Sequence, residues 1–229
     1  MALIKGKVAE TSQLGNTDEQ IARLAPDGSI VTKDSFQAMI DEGRAFAFNV
    51  GTLVTKATGS GVGTVLDPNQ PDFMVSVPTG TSIWTKSVRI SAFQLSPIGT
   101  GDVIDVLVGI DRDEAINAGT PGTGTDETVV NLNTKSSKTT SCTVKSQFTV
   151  DTGSATLDLE LAHVTRTAVE YTVGSGTGIL QGQNSEGIDM VYEPLKPVKI
   201  VGPGKLLGYW GGTNVVFAYA QVEWYELTA

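Results

Sequence analysis

The chain reads as an all-β protein, an antiparallel β-sandwich of jelly-roll type with an extended N-terminal arm containing one short helix. Three observations predict this. Short apolar runs alternate with polar residues at a period of two, as half-buried strands require. Gly, Pro, Asn and Asp divide those runs at regular spacing. Thr, Ser, Gly and Val are abundant, whereas the long runs of Ala, Leu, Glu and Lys that favour helices are missing. At 229 residues the chain can bury about 70% of the surface its unfolded form exposes, so a core needs neither disulfides nor metals.

Residues 1–58 form the expected arm. Residues 3–8 suit a short strand, and residues 11–20 are polar with few anchors. Asp34-Ser35-Phe36-Gln37 resembles a capping box, with Asp34 as N-cap and Gln37 reaching back. Phe36, Met39 and Ile40 share one side and Gly43 supplies the stop, so a helix is expected near residues 35–42. Residues 45–50 alternate like a strand. The segment has too few apolar residues for a domain of its own, which makes it an arm lying on its own sandwich or on a neighbour.

The sandwich domain covers residues 59–229, behind the flexible joint Thr58-Gly59-Ser60-Gly61-Val62-Gly63. Residues 73–77 run into the turn Pro78-Thr79-Gly80-Thr81. Residues 84–94 put Val88, Ile90 and Ala92 on one face, and residues 102–110 put Ile104, Val106, Val108 and Ile110 on one face. A loop rich in carboxylates follows, over 111–125. Residues 128–132 and 143–150 are further strands, the second carrying Val144, Phe148 and Val150. Residues 156–161 direct Leu157, Leu159 and Leu161 inward and Asp158 and Glu160 outward, and residues 167–173 repeat the pattern with Val169, Tyr171 and Val173. After a glycine-rich loop and a strand at 188–192, the chain closes on a hairpin. Leu206, Leu207, Tyr209 and Trp210 lead into Gly211-Gly212, and the return strand runs over 215–227.

That return strand has a dry face, Val216, Ala218, Ala220, Val222 and Trp224, which should meet the core. Its other face is aromatic yet partly polar, which suits a contact surface. Phe217, Tyr219 and Tyr225 are therefore expected at a subunit interface. Trp210 with Tyr209, beside the glycine turn, is the expected exposed aromatic platform.

Composition excludes several function classes. The net charge is −9, and the basic residues are scattered, whereas phosphate neutralisation needs them clustered; no nucleic-acid partner is expected. Acidity keeps a protein soluble and repels anionic membranes, and it would attract a basic partner. No segment reaches the roughly 20 apolar residues of a membrane span, and no signal-peptide core precedes the chain's first strand, so no membrane partner is expected. The single cysteine, Cys142, allows no internal disulfide and is expected as a buried, inert thiol.

Each candidate for chemistry has an ordinary alternative that outweighs it. His163 is the lone histidine, no Gly-x-Ser-x-Gly elbow accompanies it, and a turn or edge histidine is expected. Asp158 and Glu160, about 7 Å apart along a strand, have the spacing of paired glycosidase carboxylates, but a solvated outer face carries such pairs routinely and is the expected reading. Asp111-Arg112-Asp113-Glu114 begins like a calcium loop and fails the EF-hand pattern at Ala115 and Ile116. The glycine runs at 59–63, 174–178 and 202–206 lack the phosphate-cradle pattern. No catalytic residue, cofactor or metal is expected.

Two stretches carry a resemblance. Phe73-Met74-Val75-Ser76-Val77-Pro78-Thr79-Gly80-Thr81-Ser82-Ile83-Trp84, with the acidic loop after Asp105-Val106-Leu107-Val108, is one. The close, Gly208-Tyr209-Trp210-Gly211-Gly212-Thr213 and then the strand ending Glu223-Trp224-Tyr225-Glu226-Leu227, is the other. Over residues 70–227 the chain resembles minor virion proteins of tailed bacteriophages that adopt a jelly roll and decorate or cement the capsid. The resemblance implies a non-enzymatic protein at the virion surface, made in the host cytoplasm. It implies a homotrimer whose partner is the major capsid protein, with the N-terminal arm gripping neighbours. The alternative reading is a carbohydrate- or receptor-binding sandwich of a phage tail or fibre.

Overall fold

The structure is a computed structural model, and it describes residues 5–7, 19–21, 35–52, 55–59, 61–62, 66–94, 102–113, 116, 124–148, 156–167 and 187–228. Along the chain these form β1 (Lys5–Lys7), β2 (Glu19–Ile21), α1 (Ser35–Asp41), β3 (Ala45–Val50), β4 (Ala57–Thr58), β5 (Gly61–Val62), β6 (Phe73–Val77), β7 (Thr81–Gln94) and β8 (Val103–Asp111). There follow β9 (Thr125–Asp126), β10 (Val130–Asn131), β11 (Thr143–Ser146), β12 (Leu159–Thr167), β13 (Gly187–Tyr192), β14 (Lys199–Val201), β15 (Gly204–Gly212) and β16 (Val216–Thr228).

Two sheets pack face to face, as the alternation predicts. The first has the order β10-β3-β16-β7-β13, with β14 also on β7 and β4 also on β16. The second has the order β12-β8-β15-β6-β11-β9, with β5 added to β15. The β5–β15 pairing is parallel; the long pairings, β16–β7, β15–β8 and β12–β8, are antiparallel. The fold is the all-β antiparallel sandwich expected.

The core is built from the predicted inward faces. Val216, Ala218, Ala220, Val222 and Trp224 of β16 are all buried, with Val88, Ile90 and Ala92 of β7 and Ile104, Val106, Val108 and Ile110 of β8 in the same cluster. Each Val or Ile among them contributes about 1.5–3 kcal/mol by leaving water. An aromatic contact joins the sheets: Phe48 of β3 meets Phe73 of β6 edge-on at 5.7 Å, and within its own sheet Phe48 meets Trp224 at 5.9 Å.

The first sheet reaches into the segment expected as the arm. Strand β3 is an interior strand, bonded to β16 from Ala220↔Val50 to Tyr225↔Ala45, and Phe46 and Phe48 are core residues. The sandwich thus takes in β3 and β4, because an alternating apolar strand must cover its dry face. Helix α1 ends as expected. Gly43 takes φ +68°, and Gly43 N–H and Arg44 N–H donate to the Ile40 and Met39 carbonyls in a Schellman arrangement. Gln37 does not reach back; its amide donates to Asp41 at 3.2 Å. Asp34 lies outside the described residues.

The closing hairpin is also corrected. Strands β15 and β16 belong to different sheets, so the segment between them is a corner of the sandwich. Gly211 and Gly212 are the last residues of β15, paired with Asp105 and Ile104 of β8. Both strands carry apolar faces, and only opposite sheets let each face cover the other.

Two further strands depart from simple alternation. Gln147 has φ +53°, which ends β11 and sends Phe148 to the outer side of the second sheet while Val144 faces the core. Strand β12 starts at Leu159, runs through His163 and has a bulge between Glu160 and Ala162. The leucines are divided: Leu161, at the bulge, packs on the core, Leu157, before the strand begins, packs on the outer cluster, and Leu159 stays 47% exposed. Val150, Val169, Tyr171, Val173 and the run 174–178 lie outside the described residues.

Candidate functional site

The expected aromatic platform is buried. Trp210 and Tyr209 are 0% and 1% exposed. Strand β15 lies between β8 and β6, so Trp210 points into the core. Tyr209 points outward, under a second apolar cluster of Met74, Leu107, Ile116, Phe148 and Leu207. Its hydroxyl donates to the Pro68 carbonyl at 2.8 Å. Burial, with the charges of Asp111, Asp72 and Asp67 added, pushes that phenol well above its ordinary range. Alternation could not reveal the burial, because it says nothing of what covers the far side of a strand; Phe148 and Leu157, read from their alternation as strand residues, are among those that do so.

The residues weighed for chemistry fall into two separate groups, His163 with Glu160 and Asp158 with Asp111 and Asp113. His163 stands on edge strand β12 opposite Leu107. Its Nε2 lies 2.8 Å from Asp105 Oδ1 and its Nδ1 3.4 Å from Glu160 Oε2, while Thr165 donates to the same Asp105 oxygen. Asp158 turns elsewhere: its two oxygens accept from Arg112 N–H at 2.6 Å and from the Arg112 guanidinium at 3.1 Å. The Arg112 backbone N–H first, then its side chain, hold the Asp158 carboxyl below the usual aspartate range. Asp158 and Glu160 therefore serve different partners. Cys142 is buried beside Glu226 and Thr140, and burial above all pushes its thiol far up.

Carboxylate oxygens of Asp111, Asp113 and Asp158 lie within 4.8 Å of one another, which makes them the group most able to hold a cation among the described residues. The donors around them are already protein groups. Asp111 accepts from Ile116 N–H at 2.9 Å and Asp113 N–H at 3.3 Å, and Asp158 is taken by Arg112. Ile116, at the position where an EF-hand needs glycine, is fully buried. The geometry is that of a loop folded on its own amides.

The outer face of the first sheet is different. One end is covered. There Phe36, Met39 and Ile40 of α1 pack with Ala45, Leu227, Trp84 and Tyr225. Tyr225, expected at a subunit interface, is thus used within its own chain: its ring stacks on Trp84 and meets Phe36 at 6.2 Å. The other end lies beyond the helix and carries Phe217 and Tyr219. Phe217 is the register partner of Phe93 on β7. The Phe93 ring centre lies 6.3 Å from that of Phe217 and 6.2 Å from that of Tyr219, with planes 32° and 27° apart. Tyr219 is 37% exposed, and Phe93 and Phe217 are half-buried. Lys56, just before β4, sets its ammonium 4.8 Å from the Phe217 ring centre and 5.2 Å from that of Phe93. Phe93 and Lys56 were not singled out from the sequence. Alternation does place Phe93 with Arg89 and Ser91 on the polar side, where an aromatic is out of pattern.

Compared with known proteins, the chain matches no family model, no curated protein and no solved structure. No described helix is long and apolar enough to cross a membrane.

Proposed function

We propose that this chain is a non-enzymatic structural protein of a tailed-bacteriophage virion, which binds and stabilises the assembled capsid shell as a homotrimer. The origin of that reading is the resemblance of residues 70–227. The observation that supports it in the structure is the end of the first sheet beyond the helix, where exposed Tyr219 and half-buried Phe93 and Phe217 form an aromatic patch on the paired strands β7 and β16. Aromatic side chains offer large contact area at small entropic cost, and a docking protein needs area and shape more than a tuned side chain. Protein contacts of this kind bury about 800 Å² per partner, so the patch would be the centre of a larger footprint.

The test is co-sedimentation with capsid shells that lack the protein, beside light scattering on the free protein. Binding to shells and a mass near three times 24.0 kDa are expected; a monomer that leaves shells untouched overturns the reading.

A carbohydrate- or receptor-binding module is the second reading. Its first motive, Trp210 and Tyr209, is gone with their burial, and the exposed Tyr219 ring is what now favours it. Hits on a glycan array that Tyr219→Ala abolishes would select it over the first.

A further inference from the structure

We propose that the patch of Phe93, Phe217 and Tyr219 is a seat for a cationic side chain, presented by a basic segment of the surface on which this protein docks. The inference rests on the docking role above and adds the chemistry of the contact. The patch already holds a cation, since Lys56 places its ammonium over the Phe217 and Phe93 rings. Ring faces attract such a charge through their quadrupole, and arginine, flat and weakly hydrated, uses them best.

A carboxylate stands on the same face of the sheet, two strands from Tyr219. Tyr219, Ser91 and Asp189 are register partners in one row across β16, β7 and β13. Ser91 Oγ donates to Asp189 Oδ1 at 2.6 Å, which fixes that exposed carboxylate on the same face. A guanidinium over the aromatic rings would have Asp189 as its acceptor. The whole molecule points the same way: with a net charge of −9, its field draws a basic segment in and turns an acidic one away. In this arrangement Lys56 is a placeholder. Its flexible stem leaves the ring faces when the partner's arginine or lysine arrives.

That placeholder role gives the inference a sign that can be measured. A patch made for an acidic partner would use Lys56 as its anchor, and losing Lys56 would weaken binding. A seat for a cation has Lys56 as its competitor, and losing Lys56 strengthens binding.

The experiment is isothermal titration of the full chain at low salt with two blocked Gly/Ser peptides, one bearing three arginines and the other three glutamates. The arginine peptide is expected to bind, with affinity that falls as salt rises. Lys56→Ala should tighten it several-fold, and Tyr219→Ala and Asp189→Asn should each weaken it, the former by about tenfold. Glu160→Gln, on the other sheet, should leave it unchanged. The inference is overturned by absent arginine-peptide binding, by preference for the glutamate peptide, by weaker binding in Lys56→Ala, or by unchanged binding in both Tyr219→Ala and Asp189→Asn. Shells that still bind the protein after such a result would leave the docking role standing; shells that never bind it would remove that role instead.

Discussion

Trp84 and Tyr225 are register partners on β7 and β16, and their rings stack with planes 6° apart and centres 5.3 Å apart. The stack continues on both sides. Lys199 places its ammonium 4.9 Å from the Trp84 ring centre, and Phe36 of α1 meets Tyr225, with Lys86 5.7 Å from the Phe36 ring. This ladder fastens the helix to the sheet. It also explains why one end of the face is closed and the other open.

Tyr225→Ala should therefore loosen α1 and lower stability by about 2 kcal/mol, read by urea unfolding. It should leave the mass by light scattering unchanged. A change of oligomeric state at unchanged stability would instead place Tyr225 between subunits.

Gly208 is a close-approach glycine. A Cβ there would overlap the Phe73 ring, and Phe73 packs against both Phe48 and Trp210 in the core. Gly208→Ala should destabilise the fold by about 1–3 kcal/mol through overpacking, measured as a lower denaturant midpoint. Wild-type stability in this variant would show that the ring has room to shift.

Glu226 is buried near the end of β16 and ties three groups together. Its carboxylate accepts from the Thr140 hydroxyl, from Ser141 N–H at 2.9 Å and from Trp224 Nε1 at 3.0 Å. Hydrogen bonds to a charged group are the stronger kind. Glu226→Gln keeps the shape and loses the charge, so a cost of about 1–3 kcal/mol is expected. Faster amide exchange at Ser141 and Cys142 should accompany it. Unaltered exchange there would show that the carboxylate does not hold this loop.

Cys142 provides a chemical probe of the same corner. Burial first, then the nearby Glu226 charge, disfavours its thiolate, and the thiolate is the reactive form. An aromatic disulfide reagent at mildly alkaline pH should fail to label the folded protein and label one thiol per chain in urea. Rapid labelling of the native protein would mean that the corner opens.

Asp158 gives the pH dependence its sign. Its pKa is depressed in the folded state by Arg112, so the folded protein binds fewer protons there than the unfolded chain at acidic pH. The contribution to stability is present at neutral pH and is lost as pH falls below about 4, through the depressed value. Carboxyl NMR should place the Asp158 midpoint below that of an ordinary aspartate, and Arg112→Ala should move it up. An ordinary midpoint in the wild type would mean that the pair does not persist in solution.

The period-two pattern alone determined the fold class and the inward faces of β7, β8 and β16. Burial of alternate side chains is a local property of an extended chain, and Val216 through Trp224 needed nothing more. The stop at Gly43 was legible for the same reason: it is one residue's backbone freedom. Tertiary structure decided what lies on the far side of each strand. Tyr209 and Tyr225 both point away from the core, yet loops cover one, α1 covers the other, and Tyr219 is left in the open. Whether Tyr209–Trp210 ended at a hairpin or a sandwich corner was likewise settled by which sheet β16 joined. Strand pairing and loop cover depend on residues far apart in the chain, and alternation along one strand carries no information about them.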